Sequence, residues 1–326
     1  MKKIIGIDFG TSNTFIYVPN KGSVYNEPTL IAINVKQEKM IETGYLASKM
    51  IGRTPADIQV IHPVINGVVA RINPSYLYLK NALEEAKMDK NLENYSVLFG
   101  VPSDITPVEK NALIEIANRL DIKDVILENQ GLLATLGSGI EDDTKKGNMT
   151  INIGGGITDI SVVSGKDIII SKSSYFSGDL LDQTILRHLR KKHHLLVGEK
   201  TAEFIKMKIG SVEIYPENRL VEVSGRDIST SLPHSIIIST SEIRSVILPK
   251  LDELIDAITD VLALTPPEIS SDIISNGICI SGGGALLSGI REYLEKTLNI
   301  PVRIAPDPLT SVVNGMRVYI NELEKK

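Results

Sequence analysis

Residues Thr150 to Val163 read T-I-N-I-G-G-G-I-T-D-I-S-V-V, two short β-type runs about a triple glycine. Residues Ile4 to Val18 read I-I-G-I-D-F-G-T-S-N-T-F-I-Y-V. Sliding one stretch onto the other pairs Asp8 with Asn152, Gly10 with Gly154, Thr14 with Thr158, Ile16 with Ile160 and Val18 with Val162, a constant offset of 144 residues (152 minus 8). Glycine at a strand-to-strand turn permits positive φ and lets backbone approach a ligand, and the N–H groups of such a turn form a nest for phosphate oxygens. A single Gly-rich hairpin reads as readily as an ordinary tight turn. Two in one register, one per half, predict two similar domains clamping a polyphosphate between facing hairpins.

Composition fits that expectation. A chain of 326 residues is long enough for two domains, each with its own core. The net charge of -5 and pI near 5.7 argue against nucleic acid as a partner, which would call for a basic face. The lone cysteine, Cys279, lies in the apolar run Gly277 to Ile280 and reads as a small buried hydrophobe; with no disulfide framework available, a reducing cytoplasmic compartment is expected. Met1 to Ile7 superficially resembles a signal peptide, but Asp8 interrupts it after four uncharged residues, so it reads as a strand. No apolar run approaches the ~18 residues needed to span a bilayer.

Further along, Phe15 to Val18 is expected to pair with Ile4 to Phe9, and Thr29 to Val35 to form another strand, with Asn26-Glu27-Pro28 breaking the pattern between them. Residues 33–72 carry frequent punctuation and read as a small inserted subdomain. Thr106, Pro107 and Glu109 make a capping box, with Val108, Leu113, Ile116, Ala117 and Leu120 as the core stripe of the helix they open. The polar run Ser138 to Asn148 is the expected domain crossing. Asp179 to His194 reads as a helix with a basic tail; His193 and His194, adjacent on it, are not expected to share a metal. Ser239 to Glu242 caps a long helix to about Leu264, kinked at Pro249. Strand Gly277 to Ile280 runs into Ser281-Gly282-Gly283-Gly284-Ala285, then a helix from about Leu287; the closing helix is Leu309 to Glu324.

Taken in order, Asp8 to Thr14, Asn152 to Asp159, Gly198-Glu199-Lys200-Thr201-Ala202-Glu203 with Lys206 and Gly210, Gly282 to Leu287, and Asp307 to Thr310 resemble the successive motifs of the MreB family of bacterial actins. The likeness covers nearly the whole chain. It implies an α/β actin-like fold of two related domains, each a mixed sheet flanked by helices, with four subdomains around a nucleotide cleft. On that plan residues 1–32, 73–142 and 312–326 form subdomain IA, 33–72 IB, 143–178 with 240–311 IIA, and 179–239 IIB. It further implies ATP or ADP with Mg²⁺ in the cleft, self-assembly into filaments that paired protofilaments would suit, and a role in cell shape or shape-linked motility at the inner face of the membrane alongside other cytoskeletal proteins. Gly10, Thr11, Ser12, Asn13 and Thr14, with Gly154, Gly155, Gly156, Ile157 and Thr158, would hold the phosphates through backbone N–H groups. Asp8 would bind Mg²⁺ through water. Glu203 and Lys206 would contact ribose and adenine, Gly210 closes their motif, and Gly282, Gly283 and Gly284 would floor the adenine slot.

Three positions depart from the family pattern. Asn152 stands where the family's second phosphate motif begins with aspartate, so the shape is kept and the charge lost. Gln130-Gly131 replaces the family's Glu-Pro; glutamine, which eukaryotic actin also uses there, orients a water without deprotonating it. Ile157 replaces threonine. Together they predict intact ATP binding and weak hydrolysis. The chain also starts directly with its first strand, and the loop Met88-Asp89-Lys90-Asn91-Leu92-Glu93 carries a charge where membrane-binding relatives have a second apolar residue, so only weak peripheral membrane contact is expected. The competing reading is a small-molecule, sugar-type kinase of the same superfamily, since fold alone does not fix function. One cysteine cannot make the zinc loop of one kinase group, and a chaperone reading would need a peptide-binding region after Lys326.

Overall fold

The computed structural model describes residues 3–88, 91–140, 146–214 and 218–325. In the first lobe β1 (Lys3–Phe9) turns back as β2 (Asn13–Val18) and continues antiparallel into β3 (Gly22–Pro28). A small sheet of β4 (Ile31–Asn34), β5 (Lys39–Thr43) and β6 (Ile58–Ile61) carries α1 (Gly44–Met50), and is followed by the short hairpin β7 (Val64–Ile65) and β8 (Val68–Val69). After α2 (Ile72–Glu85) come β9 (Tyr95–Val101), α3 (Pro107–Arg119), β10 (Asp124–Asn129) and α4 (Gln130–Gly137). The main sheet has the order β10-β9-β1-β2-β3, with β9 and β10 parallel to their neighbours. Every residue of β9 is buried, as a central parallel strand covered on both faces requires.

The second lobe repeats the plan. β11 (Gly147–Ile153), β12 (Thr158–Ser164) and β13 (Asp167–Ser174) form the meander. An inserted layer holds α5 (Gly178–Lys192), β14 (Leu195–Leu196), α6 (Glu199–Ile209), β15 (Leu220–Asp227) and β16 (Pro233–Ser239). Then α7 (Thr240–Ile247), α8 (Leu251–Leu264) and α9 (Pro267–Asn276) lead to β17 (Ile278–Ser281), α10 (Ile290–Leu298) and β18 (Val302–Ile304). This sheet runs β13-β12-β11-β17-β18, with β17 and β18 parallel to β11 and to each other in turn, the same order as the first. The repeat extends to register: Asp8 pairs with Phe15 and Asn152 with Asp159, both offsets being 144 (152 minus 8, 159 minus 15).

Each lobe has its own apolar core, one centred on Ile5, Ile7, Val97 and Phe99, the other on Ile151, Ile160, Ile258 and Ile280. The last helix, α11 (Ser311–Leu323), returns to the first lobe and packs Val312, Val313, Met316 and Ile320 against Phe15, Tyr17, Leu98 and Leu133. It crosses α4 at backbone distance: a Cβ on Gly315 would stand 1.8 Å from the Leu133 carbonyl oxygen, and one on Gly137 1.9 Å from that of Ser311.

Several expectations are corrected. Val108 is 78% exposed rather than part of the α3 stripe. At 100° per residue it lies about 140° around the helix from Leu113, whereas Leu113, Ile116, Ala117 and Leu120 share one buried face. β3 occupies a stretch read as a break, with Asn26-Glu27-Pro28 as its end, and the strand expected over 29–35 shortens to β4. The kink at Pro249 is a full interruption, a 3-10 turn over Leu248–Lys250 that separates α7 from α8. Further 3-10 turns, Gly283–Leu286 and Pro308–Thr310, delay α10 and α11 by two or three residues. Cys279 is buried, as expected. Five of the eleven residues of the expected domain crossing, residues 141–145, lie outside the described residues.

Candidate functional site

The two glycine hairpins close with the same hydrogen bond. Gly10 N–H donates to the Asn13 carbonyl at 3.1 Å, and Gly154 N–H to the Ile157 carbonyl at 2.9 Å. A Cβ would lie 2.8 Å from the former oxygen at Gly10 and 2.7 Å from the latter at Gly154, so each turn excludes any larger residue. None of Gly10, Gly154, Gly155 and Gly156 has a positive φ. Crowding, not left-handed backbone, demands glycine here, which corrects half of the sequence argument.

The hairpins face each other across the junction of the lobes. A Cβ on Gly155 would sit 1.9 Å from Ser12 Oγ and 2.9 Å from Ser12 Cβ; one on Gly156 would sit 2.4 Å from Thr11 Oγ1. The turn between β7 and β8 caps this junction: Gly67 N–H donates to Thr11 Oγ1 at 2.9 Å, and a Cβ on Gly67 would meet Ile157 Cγ2 and Pro102 Cγ, each at 2.9 Å. Ile157 therefore has an apolar packing position against the small inserted layer. Thr14 and Thr158 are fully buried, their hydroxyls engaged with Thr29 Oγ1 at 2.8 Å and the Phe176 carbonyl at 2.6 Å.

Beside the turns, Asp8 Oδ1 accepts a hydrogen bond from Gln130 Nε2 at 3.1 Å. Burial pushes the Asp8 carboxyl up to about 7; the Gln130 hydrogen bond opposes this and the nearby Asp159 charge adds to it. Among the described residues no cationic side chain forms an ion pair with Asp8. The equivalent residue in the other lobe, Asn152, is buried and its Oδ1 accepts from Ser281 Oγ at 3.1 Å. Asp159 was not singled out from sequence, although it ends the same G-G-G-I-T-D run. It is fully buried, and its Oδ1 accepts from Ser103 N–H of the first lobe and from Ser173 Oγ of the second, each at 2.8 Å. Its Oδ2 has no partner, and burial pushes its pKa up.

The start of α5 supports the second loop. Gly178 and Asp179 donate their N–H groups to the carbonyls of Gly154 and Gly155 at 3.1 and 2.8 Å. Lys206 on α6 reaches the same place, donating to Asp182 Oδ2 at 2.7 Å and to the Gly178 carbonyl at 3.1 Å. Glu203, one turn earlier, is exposed. Gly210 caps α6, where a Cβ would stand 2.2 Å from the Lys206 carbonyl oxygen, so packing alone accounts for it. Gly282 and Gly284 press on Ile153, with a Cβ at 2.3 Å from its carbonyl oxygen and 2.1 Å from its Cγ2 respectively. Gly283 is the open one: a Cβ there would find only Leu309 Cδ2, at 3.6 Å.

The description MreB/Mbl protein fits this sequence over residues 2–326 as a family model. The chain belongs to the MreB/Mbl family. Among its relatives, cell shape-determining protein Mbl of Bacillus subtilis (strain 168) is 38% identical over 323 residues, covering 98% of this chain and 96% of Mbl. Two solved structures of MreB5 of Spiroplasma citri superpose on it. The one bound to ADP has a TM-score of 0.94 and 37% identity; the one bound to AMPPNP has 0.95 and 36%. Each covers 100% of this chain and 98% of its own. This MreB/Mbl chain thus has the actin-like α/β fold and is a cytoskeletal actin homologue, which sets aside the sugar-kinase and chaperone readings. Among the described residues no helix is long and apolar enough to cross a membrane.

Proposed function

We propose that the chain binds one adenine nucleotide, with Mg²⁺, between its two glycine hairpins and polymerises into filaments that act in cell shape, hydrolysing ATP slowly. The observation that carries this reading is the apposition of Gly155 on Ser12 and Gly156 on Thr11, which brings two sets of turn N–H groups to one place. The MreB5 structures with ADP and AMPPNP support it. Gly10 to Thr14 and Gly154 to Thr158 would supply N–H groups to phosphate oxygens; Glu203 and Lys206 would contact the sugar and base, and Gly283 would floor the base slot. Asp8 fits a hydrated Mg²⁺: it is a carboxylate raised by burial and paired with an amide rather than a cation. Bound there, Mg²⁺ would supply charge neutralisation for the phosphates.

Weak hydrolysis follows from the chain's own groups. Gln130 is held on Asp8 and can orient a water but not take its proton. Asn152 is already engaged with Ser281 and carries no charge. Loss of general-base assistance is worth about 10²-fold in rate. Membrane contact is proposed to be weak and peripheral. Of the two apolar residues of the loop after α2, Leu92 is buried and Met88 is half-buried against the core of the first lobe; Asp89 and Lys90 of that loop lie outside the described residues. The test combines sedimentation and negative-stain microscopy of the chain with MgATP against a phosphate-release assay. Nucleotide-dependent filaments with slow release are expected; absence of filaments under every nucleotide condition would refute the reading. Liposome co-sedimentation should stay low, and strong pelleting would contradict the membrane proposal.

A further inference from the structure

Away from the cleft, three side chains that the sequence does not place together converge. His188 lies within α5, His193 is its C-cap residue, and Glu242 stands in the first turn of α7. His188 Nε2 is 2.7 Å and His193 Nε2 2.6 Å from the same oxygen, Glu242 Oε1. One candidate ligand atom from each residue lies within 4.8 Å of the others. The two rings meet edge to face, 5.9 Å between centroids and 74° between planes, which turns both Nε2 atoms toward one point. All three side chains are partly buried, at 15–20% exposure.

We infer that His188, His193 and Glu242 form a binding site for a divalent transition-metal ion, with Zn²⁺ the best match. Two imidazoles and one carboxylate are borderline ligands of the kind that zinc takes, and three protein ligands leave a fourth position for water. Tetrahedral zinc with ordinary bond lengths places its ligand atoms about 3.3 Å apart, so the present N···O separations must open by roughly 0.6 Å. The scaffold that sets the approach is fixed: the Ser239 cap accepts the Glu242 N–H at 3.3 Å, and His193 is held by its own N–H on the Leu189 carbonyl at 3.1 Å. The ion would take the place of the imidazole N–H donors on one carboxylate oxygen, each ring presenting its Nε2 lone pair to the metal with its proton carried on Nδ1.

One group opposes it. Lys192 Nζ is 3.1 Å from the same Glu242 oxygen. Its side chain is 56% exposed, so it can swing into solvent, and removing its charge should favour the ion. The consequence of binding is structural: α5, which carries the inserted layer of the second lobe, becomes stapled to α7.

The experiment titrates Zn²⁺ into the full chain against a competing chelating dye, and compares wild type with His188→Gln, His193→Gln, the double variant His188→Gln/His193→Gln and Lys192→Gln. Wild type should take up about one more equivalent than the double variant, with each single histidine variant at least tenfold weaker, and Lys192→Gln should bind more tightly than wild type. Zinc bound elsewhere, for example near Asp8, is common to all variants and cancels. Equal uptake by wild type and a folded double variant, or no tightening in Lys192→Gln, would overturn the site. Because Lys192 is exposed, its variant gives a readout even if the histidine variants fold poorly.

Discussion

Adding one methyl at Gly155 tests the facing hairpins without touching any charged group. A Cβ there falls 1.9 Å from Ser12 Oγ and 2.9 Å from Ser12 Cβ, while the next atom, Ser12 N, is at an ordinary 3.4 Å. Restoring normal carbon contact means parting the two hairpins by about 1 Å, an overpacking cost of roughly 1–3 kcal/mol. If bound nucleotide needs both loops at their present spacing, that cost appears in affinity, about 5- to 150-fold in Kd for Gly155→Ala. The cost arises from a single opposing side chain, so Ser12→Gly, which removes both offending atoms, should return most of the affinity in Gly155→Ala/Ser12→Gly. Titration of a fluorescent ATP analogue into wild type, the single variants and the double variant completes the cycle. A double variant no tighter than Gly155→Ala would refute the apposition, as would a Gly155→Ala chain that binds like wild type.

Three further outcomes follow from other parts of the structure. Asn152→Asp with Gln130→Glu should raise phosphate release toward ~10²-fold with little change in nucleotide affinity; an unchanged rate would show that these residues do not limit hydrolysis. Gly315→Ala drives a Cβ to 1.8 Å from the Leu133 carbonyl oxygen and should lower the melting temperature by several degrees, since α11 and α4 cannot separate cheaply. For Asp182, burial pushes the carboxyl up to about 6 against the pull of Lys206, with Glu203 and Asp179 adding to the rise. Its protonated form is therefore favoured by folding, a contribution fully present below about pH 4 and lost as pH rises through about 6. The stability difference between wild type and Asp182→Asn, from urea melts, should shift against wild type from pH 4 to 6.5, and a flat or opposite trend would contradict the assignment.

The duplicated plan was legible because the same physical demand recurs at a fixed spacing: Gly10 and Gly154 each face the carbonyl that closes their own turn, so both sequences had to keep glycine. The capping box at Thr106 and Glu109 was legible for a similar reason, being local; both of its hydrogen bonds are present. What sequence could not supply was contact between distant segments. Asp159 looks like one more polar residue in a strand until Ser103, 56 residues away, is seen donating to it across the lobes. His188 and His193 converge on Glu242, a residue about fifty positions further along the chain. Val108 was misplaced because a list of apolar residues ignored its angle on the helix. Gly210, Gly282 and Gly284 fit a nucleotide motif by spacing, yet each already has a packing reason to be glycine, so spacing alone could not divide binding from architecture.

Amide hydrogen exchange on the full chain, with and without MgATP, probes both hairpins in one measurement. Simultaneous protection of residues 10–14 and 154–158 on adding ATP, saturating at one nucleotide per chain, is the predicted result. Protection confined to one hairpin, or none in either, would contradict the claim that the two lobes grip a single nucleotide between them.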